Sequence, residues 1–270
     1  MQPGSKMFVP HPLLQPYIEG YVLFENNNIH TLTHYHPDYH SIICFDINRK
    51  HLLAEGIKEI KSSMVFVGPV DNYVTISRVP DRLLQVIFKP YGAFYLLGAA
   101  IRKISGVGMD AGILLDDIKE TIHRIEEVYP NEAECFKLFD QYFLNKLKNT
   151  ARTTATIEQI AYACSIIQEN AGNVKMKAIC RQLNMSETSF RAHFSEKVGM
   201  TPKAFAQIEK MNHVKSYLEQ HPSLDWITIC EQYNFFDQTH FIKHFKRYFG
   251  CTPMAYLRVI NNLELRVNNY

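Results

Sequence analysis

The chain has 270 residues, 46% hydrophobic and 21% charged, with a formal net charge of +2. That length accommodates two domains with proper cores. No apolar run approaches the ~20 residues needed to cross a bilayer. The opening MQPGSKMFVPHP lacks the apolar region of a signal peptide, so a cytoplasmic protein is expected. Charge is unevenly placed: from Ala151 on there are 14 Lys/Arg against 10 Asp/Glu, and before it 15 against 17. The C-terminal part thus carries the sign that a partner such as DNA requires. Six cysteines (Cys44, Cys135, Cys164, Cys180, Cys230, Cys251) show no CxxC or metal-finger spacing. Free buried thiols are the expected reading.

In chain order, residues up to about Phe88 are β-rich. Tyr17–Phe24, Thr31–Tyr35, Ser41–Ile47, Met64–Gly68, Tyr73–Arg78 and Leu83–Phe88 are short runs of Ile, Val, Phe and Tyr. Asn26-Asn27-Asn28, Pro37-Asp38, Asn48 and Gly68-Pro69 break them. Short strands at this spacing predict a small barrel or sandwich. Lys89–Gly98 then leave it, and helices are expected at Asp116–Val128 and Asn131–Leu147. The second of these has a broad apolar face (Ala133, Phe136, Leu138, Phe139, Tyr142, Phe143, Leu147), which either covers the barrel or pairs with a second subunit. Residues 149–156 (NTARTTAT) are small and polar and are expected to be a linker between domains at 1–148 and 157–262. Thr156 is expected to cap the helix that follows it, whose stripe is Ile157, Ile160, Ala161, Cys164 and Ile167.

His34 and His36 share one face of a predicted strand, with His40 four residues on. Two histidines so placed are a conceivable metal pair. A third ligand has no obvious candidate, so strand or loop histidines are the preferred reading, and no cofactor is expected. His51, beside Lys50, is expected to be solvated.

The strongest signal is a repeat. Ile179–Phe205 and Ile229–Tyr256 align with one extra residue in the second turn. Twelve aligned pairs are identical, among them Ile179/Ile229, Asn184/Asn234, Phe190/Phe241, Phe194/Phe245, Gly199/Gly250 and Pro202/Pro253. Each copy is expected to be a helix, a turn at Asn184 or Asn234, and a second helix capped by Ser186 or Asp237. Gly199 or Gly250 ends that helix, and Thr-Pro starts another. Two helices on a short turn with a small apolar core describe a helix-turn-helix. Between the copies, Pro202 to about Gln220 is expected to be one helix, its inner side formed by Phe205, Ile208, Met211, Val214, Lys215 and Leu218.

The doubling and the run YNFFDQTHFIKHFKRYFGCTP resemble the DNA-binding domain of AraC/XylS-type transcription regulators. Two residues depart from that pattern: Asn234 replaces the usual glycine of the second turn, and Phe236 stands where a small polar residue is common. VPHPLLQPYIEGYVLFE and VIFKPYGAFYLLG more weakly resemble the sensory domain of a subset of these regulators, which implies a cupin-like barrel. The implied fold class is therefore α+β: a cupin-like N-terminal barrel or sandwich with following helices, then an all-α domain with two helix-turn-helix units bridged by a long helix. The implied partners are double-stranded DNA and RNA polymerase, with a small-molecule effector or a second copy of the chain as further expectations, and no membrane. A family relative accepts methyl groups on an N-terminal cysteine beside a four-Cys zinc site. Only Cys44 precedes residue 130 here, so that chemistry is not available.

With the phenylalanines facing inward, ~100° of rotation per residue places Thr188, Ser189, Arg191 and Ala192 where bases can be read in the first copy. In the second copy the base-edge candidates are Gln238, Thr239, His240 and Lys243. Phosphate candidates are Ser186, His193, Ser195 and Lys197, then His244, Lys246 and Arg247. The second copy is the more cationic, and is expected to supply more of the salt-sensitive affinity. An enzyme fused to a DNA-binding domain, or an N-terminal domain serving only protein interaction, are the alternatives. No catalytic residue is expected.

Overall fold

The computed structural model describes residues 5–25, 33–46, 62–76, 82–106, 108–150, 154–221 and 225–259. The strands come first: β1 Ser5–Phe8, β2 Ile18–Glu25, β3 Thr33–Tyr35, β4 Ile42–Asp46, β5 Met64–Val67, β6 Val74–Ile76, β7 Arg82–Phe88 and β8 Gly108–Asp110. The expected barrel or sandwich takes the form of an antiparallel sheet ordered β1-β2-β7-β4-β5-β8, with β3 and β6 paired in a separate ribbon. All six strands expected from the sequence are present. The sequence reading missed β1 and β8, which are short edge strands held by pairing to β2 and β5. His51, Asn48 and the Asn26–Asn28 break lie outside the described residues.

Alternation along β7 divides its side chains between two faces. Leu84, Val86 and Phe88 enter the main core, whereas Leu83 joins Cys44 on the opposite side. The main core is closed by helices α1 (Gly92–Leu97), α2 (Lys119–Val128) and α3 (Glu132–Lys148). Asn131 caps α3 by accepting a hydrogen bond from the Glu134 N–H. Phe136 lies 5.5 Å from the Tyr21 ring, and Phe143 lies 5.6 Å from Phe88. The apolar face of α3 therefore covers the sheet, which settles the alternative left by the sequence. The Tyr21 hydroxyl, sealed under this lid, donates to Asp140 at 2.8 Å.

α4 spans Thr154–Glu169. It begins before Thr156, so that residue lies in the first turn and does not cap the helix, contrary to the sequence reading. Ile157 of α4 packs into the sheet's core, while Ile160, Ala163, Cys164 and Ile167 pack into the C-terminal core. One helix thus serves both cores. Then follow α5 (Met176–Gln182), α6 (Glu187–Val198), α7 (Pro202–Gln220), α8 (Trp226–Gln232), α9 (Gln238–Phe249) and a last helical stretch over 253–259. After α4 the chain turns through Gly172 at φ +74°, and a Cβ there would sit 2.0 Å from the Ala206 carbonyl oxygen of α7. Only glycine allows this approach. All six cysteines are free. Burial pushes the Cys44 and Cys135 thiols up to about 11, which leaves them protonated and unreactive at neutral pH.

The two cores meet through a loop of the N-terminal region. Tyr39 is only 7% exposed and belongs to the C-terminal core, its ring 4.4 Å from Phe205. Its hydroxyl accepts a hydrogen bond from the Gln168 amide at 3.2 Å. His36 lies 5.1 Å from the Phe249 ring and 5.8 Å from Tyr73. Next to Tyr39, the His40 Nδ1 is 2.6 Å from Asp38 Oδ1. Burial alone would lower the His40 pKa, but Asp38, with Glu19 and Glu209, raises it above the ordinary value. Burial would raise Asp38, and the contacts with His40 bring it below the ordinary value instead.

These shifts make the loop's contribution to stability depend on pH. The His40 contribution is complete below about pH 6.5, the ordinary histidine value, and is lost as pH climbs through its raised value. The Asp38 contribution is complete above about pH 3.9 and is lost as pH falls through its lowered value. Thermal unfolding of the His40→Gln chain is therefore expected to show a deficit against wild type at pH 6 that narrows towards pH 9. A deficit independent of pH would remove the pair from the account.

Candidate nucleic-acid interface

Both repeat copies fold as the residues dictate. Asn184 and Asn234 adopt left-handed conformations at φ 52° and 53°, as the helix-ending turn requires. The Ser186 hydroxyl accepts from the Ser189 N–H at 3.1 Å, and Asp237 accepts from the His240 N–H at 2.7 Å. Gly199 and Gly250 close α6 and α9 in left-handed C-caps. Thr201 caps α7 through the Ala204 N–H at 3.1 Å, with Pro202 in its first turn. In the core, Phe190 stands 5.6 Å from Phe194, and Phe241 stands 5.7 Å from Phe245. The phenylalanine stripe that fixes which face of each helix points outward is therefore in place twice.

In the first unit, Ser186, Thr188, Arg191 and Ala192 are exposed and Ser189 is half-buried. His193 is half-buried, 4.0 Å from a Glu196 carboxylate oxygen. The C-terminal half of α6 is different. Ser195 and Lys197 are buried, 8% and 6% exposed. Lys197 Nζ lies 5.0 Å above the Phe94 ring of α1 and 3.2 Å from Glu196. Both were expected at phosphates; Lys197 is instead engaged against the N-terminal region, and Ser195 is buried at the groove beside Arg191. Nothing in the local sequence of α6 marks them, because the partner ring is about a hundred residues away in the chain.

The second unit presents its whole outer edge. Gln238, Thr239, His240, Lys243, Lys246 and Arg247 are all exposed. His244 turns inward, its Nδ1 3.2 Å from the Gln207 amide nitrogen of α7. Burial, and then the neighbouring His240, Arg247, Lys210 and Lys243, hold its pKa below the ordinary value. Phe235 packs 5.2 Å from Phe241, and Phe236 is left 92% exposed at the head of α9. Between the units runs α7, 19 residues long, hence about 28 Å at 1.5 Å per residue.

Residues 179–258 match the model of the helix-turn-helix domain family. This segment is an AraC-type helix-turn-helix domain. The AraC-type segment includes the whole of the second unit, α7, and the first unit from Ile179 on. No curated protein matches the chain. Among solved structures the chain is similar to ToxT of Vibrio cholerae. The apo form of a single-substitution variant has 12% identity and a TM-score of 0.47, with 89% of this chain and 97% of that one covered. A second crystal form, at 1.65 Å, gives 12% identity and a TM-score of 0.42, covering 94% and 98%. The unsaturated fatty acid-bound wild type gives 14% and 0.39, covering 88% and 93%.

The remaining site expectation concerns His34 and His36. His34 lies in β3 opposite Thr75, and its side chain is outside the described residues. The aromatic neighbours of His36 give it a packing role where the two cores meet. Among the described residues no group of three His, Cys, Asp or Glu side chains is arranged to hold a metal ion, and no helix is long and apolar enough to cross a membrane.

Proposed function

We propose that this chain is a sequence-specific DNA-binding transcription regulator, reading two consecutive major-groove segments with the α6 and α9 faces. The observation that carries the proposal is the duplicated unit with exposed polar edges, set on one AraC-type domain and spaced by α7. Arg191 and Lys243 would pair with guanine O6 and N7, and Gln238 with adenine, while Thr188, Thr239 and His240 approach base edges beside them. Lys246 and Arg247 would hold phosphates, and the Ser186 cap would lie where the backbone passes the α6 N-terminus. The N-terminal domain, joined to the reader through Tyr39 and α4, would convey a small-molecule signal or self-association. RNA polymerase is the partner such a reader would act upon.

Selection of bound fragments from random DNA tests this reading. The expected product is a site with two blocks of fixed sequence. The Arg191→Ala chain should then relax one position in a single block, losing about 1–3 kcal/mol against the preferred base. Recovery of fragments with no common sequence would overturn the reading.

A further inference from the structure

The outer face of α6 borders a groove of about 660 Å³, and one residue of that groove comes from the N-terminal region: Arg102. Arg102 lies in the 3-10 turn Ile101–Lys103, directly after α1, and this turn packs against α6. The fit is close, since a Cβ on Gly199 would meet Ile101 Cγ2 at 2.6 Å and the Pro69 ring at 3.1 Å. Arg102 shares the groove with Thr188, Arg191, Ala192 and Lys203. Lys103 beside it is also exposed, and neither cation forms an ion pair with another described residue. The acidic member of the groove, Glu187, is 3.9 Å from the Lys177 ammonium.

The first unit is short of cations of its own along this helix. Lys197 is consumed by Phe94 and Glu196, and α6 otherwise offers Arg191 alone. The same packing that removes Lys197 brings Arg102 to the groove, with the exposed Lys103 next to it in the same turn. On the reading given under Proposed function, we infer that Arg102 and Lys103 are DNA-backbone contacts: a basic turn of the N-terminal domain forms one wall of the first unit's reading face. The duplex is then held by both domains. Anything that shifts the N-terminal domain against α6 changes affinity for the block read by the first unit.

The test compares the full-length chain with its Arg102→Ala/Lys103→Ala form on one selected duplex across a series of salt concentrations. At about 0.9 per phosphate released, the slope of log affinity against log salt should fall by about 1.8, and binding at 0.1 M salt should weaken by tenfold or more. The Arg102→Lys/Lys103→Arg chain should keep the wild-type slope, which separates charge from folding. An unchanged slope in the alanine form would overturn the inference, as would tighter binding, which would make the turn an obstruction. Either outcome leaves the regulator reading standing if Lys243→Ala still weakens binding. Failure of the wild-type chain to select any duplex would instead remove that reading.

Discussion

Replacing Lys243 and Lys246 together by alanine is expected to weaken binding of the selected duplex by roughly fiftyfold at 0.1 M salt. The slope of log affinity against log salt should fall by about 1.8, at about 0.9 per neutralised phosphate. Both side chains are exposed on one edge of α9, so the substitution costs little stability. The corresponding places in α6 are Ala192 and Ser195, and Ser195 is buried. Electrostatic affinity is therefore expected to be lopsided, with the second unit carrying most of the charge and the first contributing Arg191 and whatever the N-terminal region lends it. Binding titrations at four or five salt concentrations read both numbers. An unchanged slope would mean that α9 does not face the backbone.

The second large effect is on the junction. Tyr39→Ala is expected to cost about 3–5 kcal/mol, the range for emptying a buried aromatic site. The residue is 7% exposed and packs on Phe205 at the start of α7. Tyr39→Phe keeps the ring and loses the bond from Gln168, so about 0.5–1.5 kcal/mol is expected. Denaturant titration of the three chains gives both differences. A loss below about 1 kcal/mol for the alanine form would show that the loop merely rests on the C-terminal core.

Far more of the reader than of the junction was legible in the sequence, for a physical reason. Caps, left-handed asparagines, the Thr-Pro start and the phenylalanine stripe act within one or two turns of chain, so α6, α7 and α9 could be placed nearly to the residue. The predicted and observed limits of α7, Pro202 and Gln220, coincide. The N-terminal strands were found by composition, yet β1 and β8 were missed because each owes its existence to a neighbour strand. Ser195 and Lys197 have the surface pattern of a DNA-facing helix. Lys197 is covered by Phe94, on a face of α6 that packs against the turn at Ile101, and no local period encodes that packing. Tyr39 shows the same limit: no local pattern singles it out, and its burial rests on Phe205 and Gln168, far along the chain. Residues 149–156 read as a linker because they are small and polar; Ile157, the next residue, packs into the sheet's core, and that long-range contact has no local signal.

One chain is expected to engage one face of a duplex through two units about a helical turn apart. Hydroxyl-radical footprinting of the full-length protein on its selected site tests it most directly. Two protected patches should appear with centres roughly 10 base pairs apart, and Lys243→Ala/Lys246→Ala should erase one of them first. A single patch of one groove's width, or two patches that vanish together when protein is kept monomeric by dilution, would contradict it.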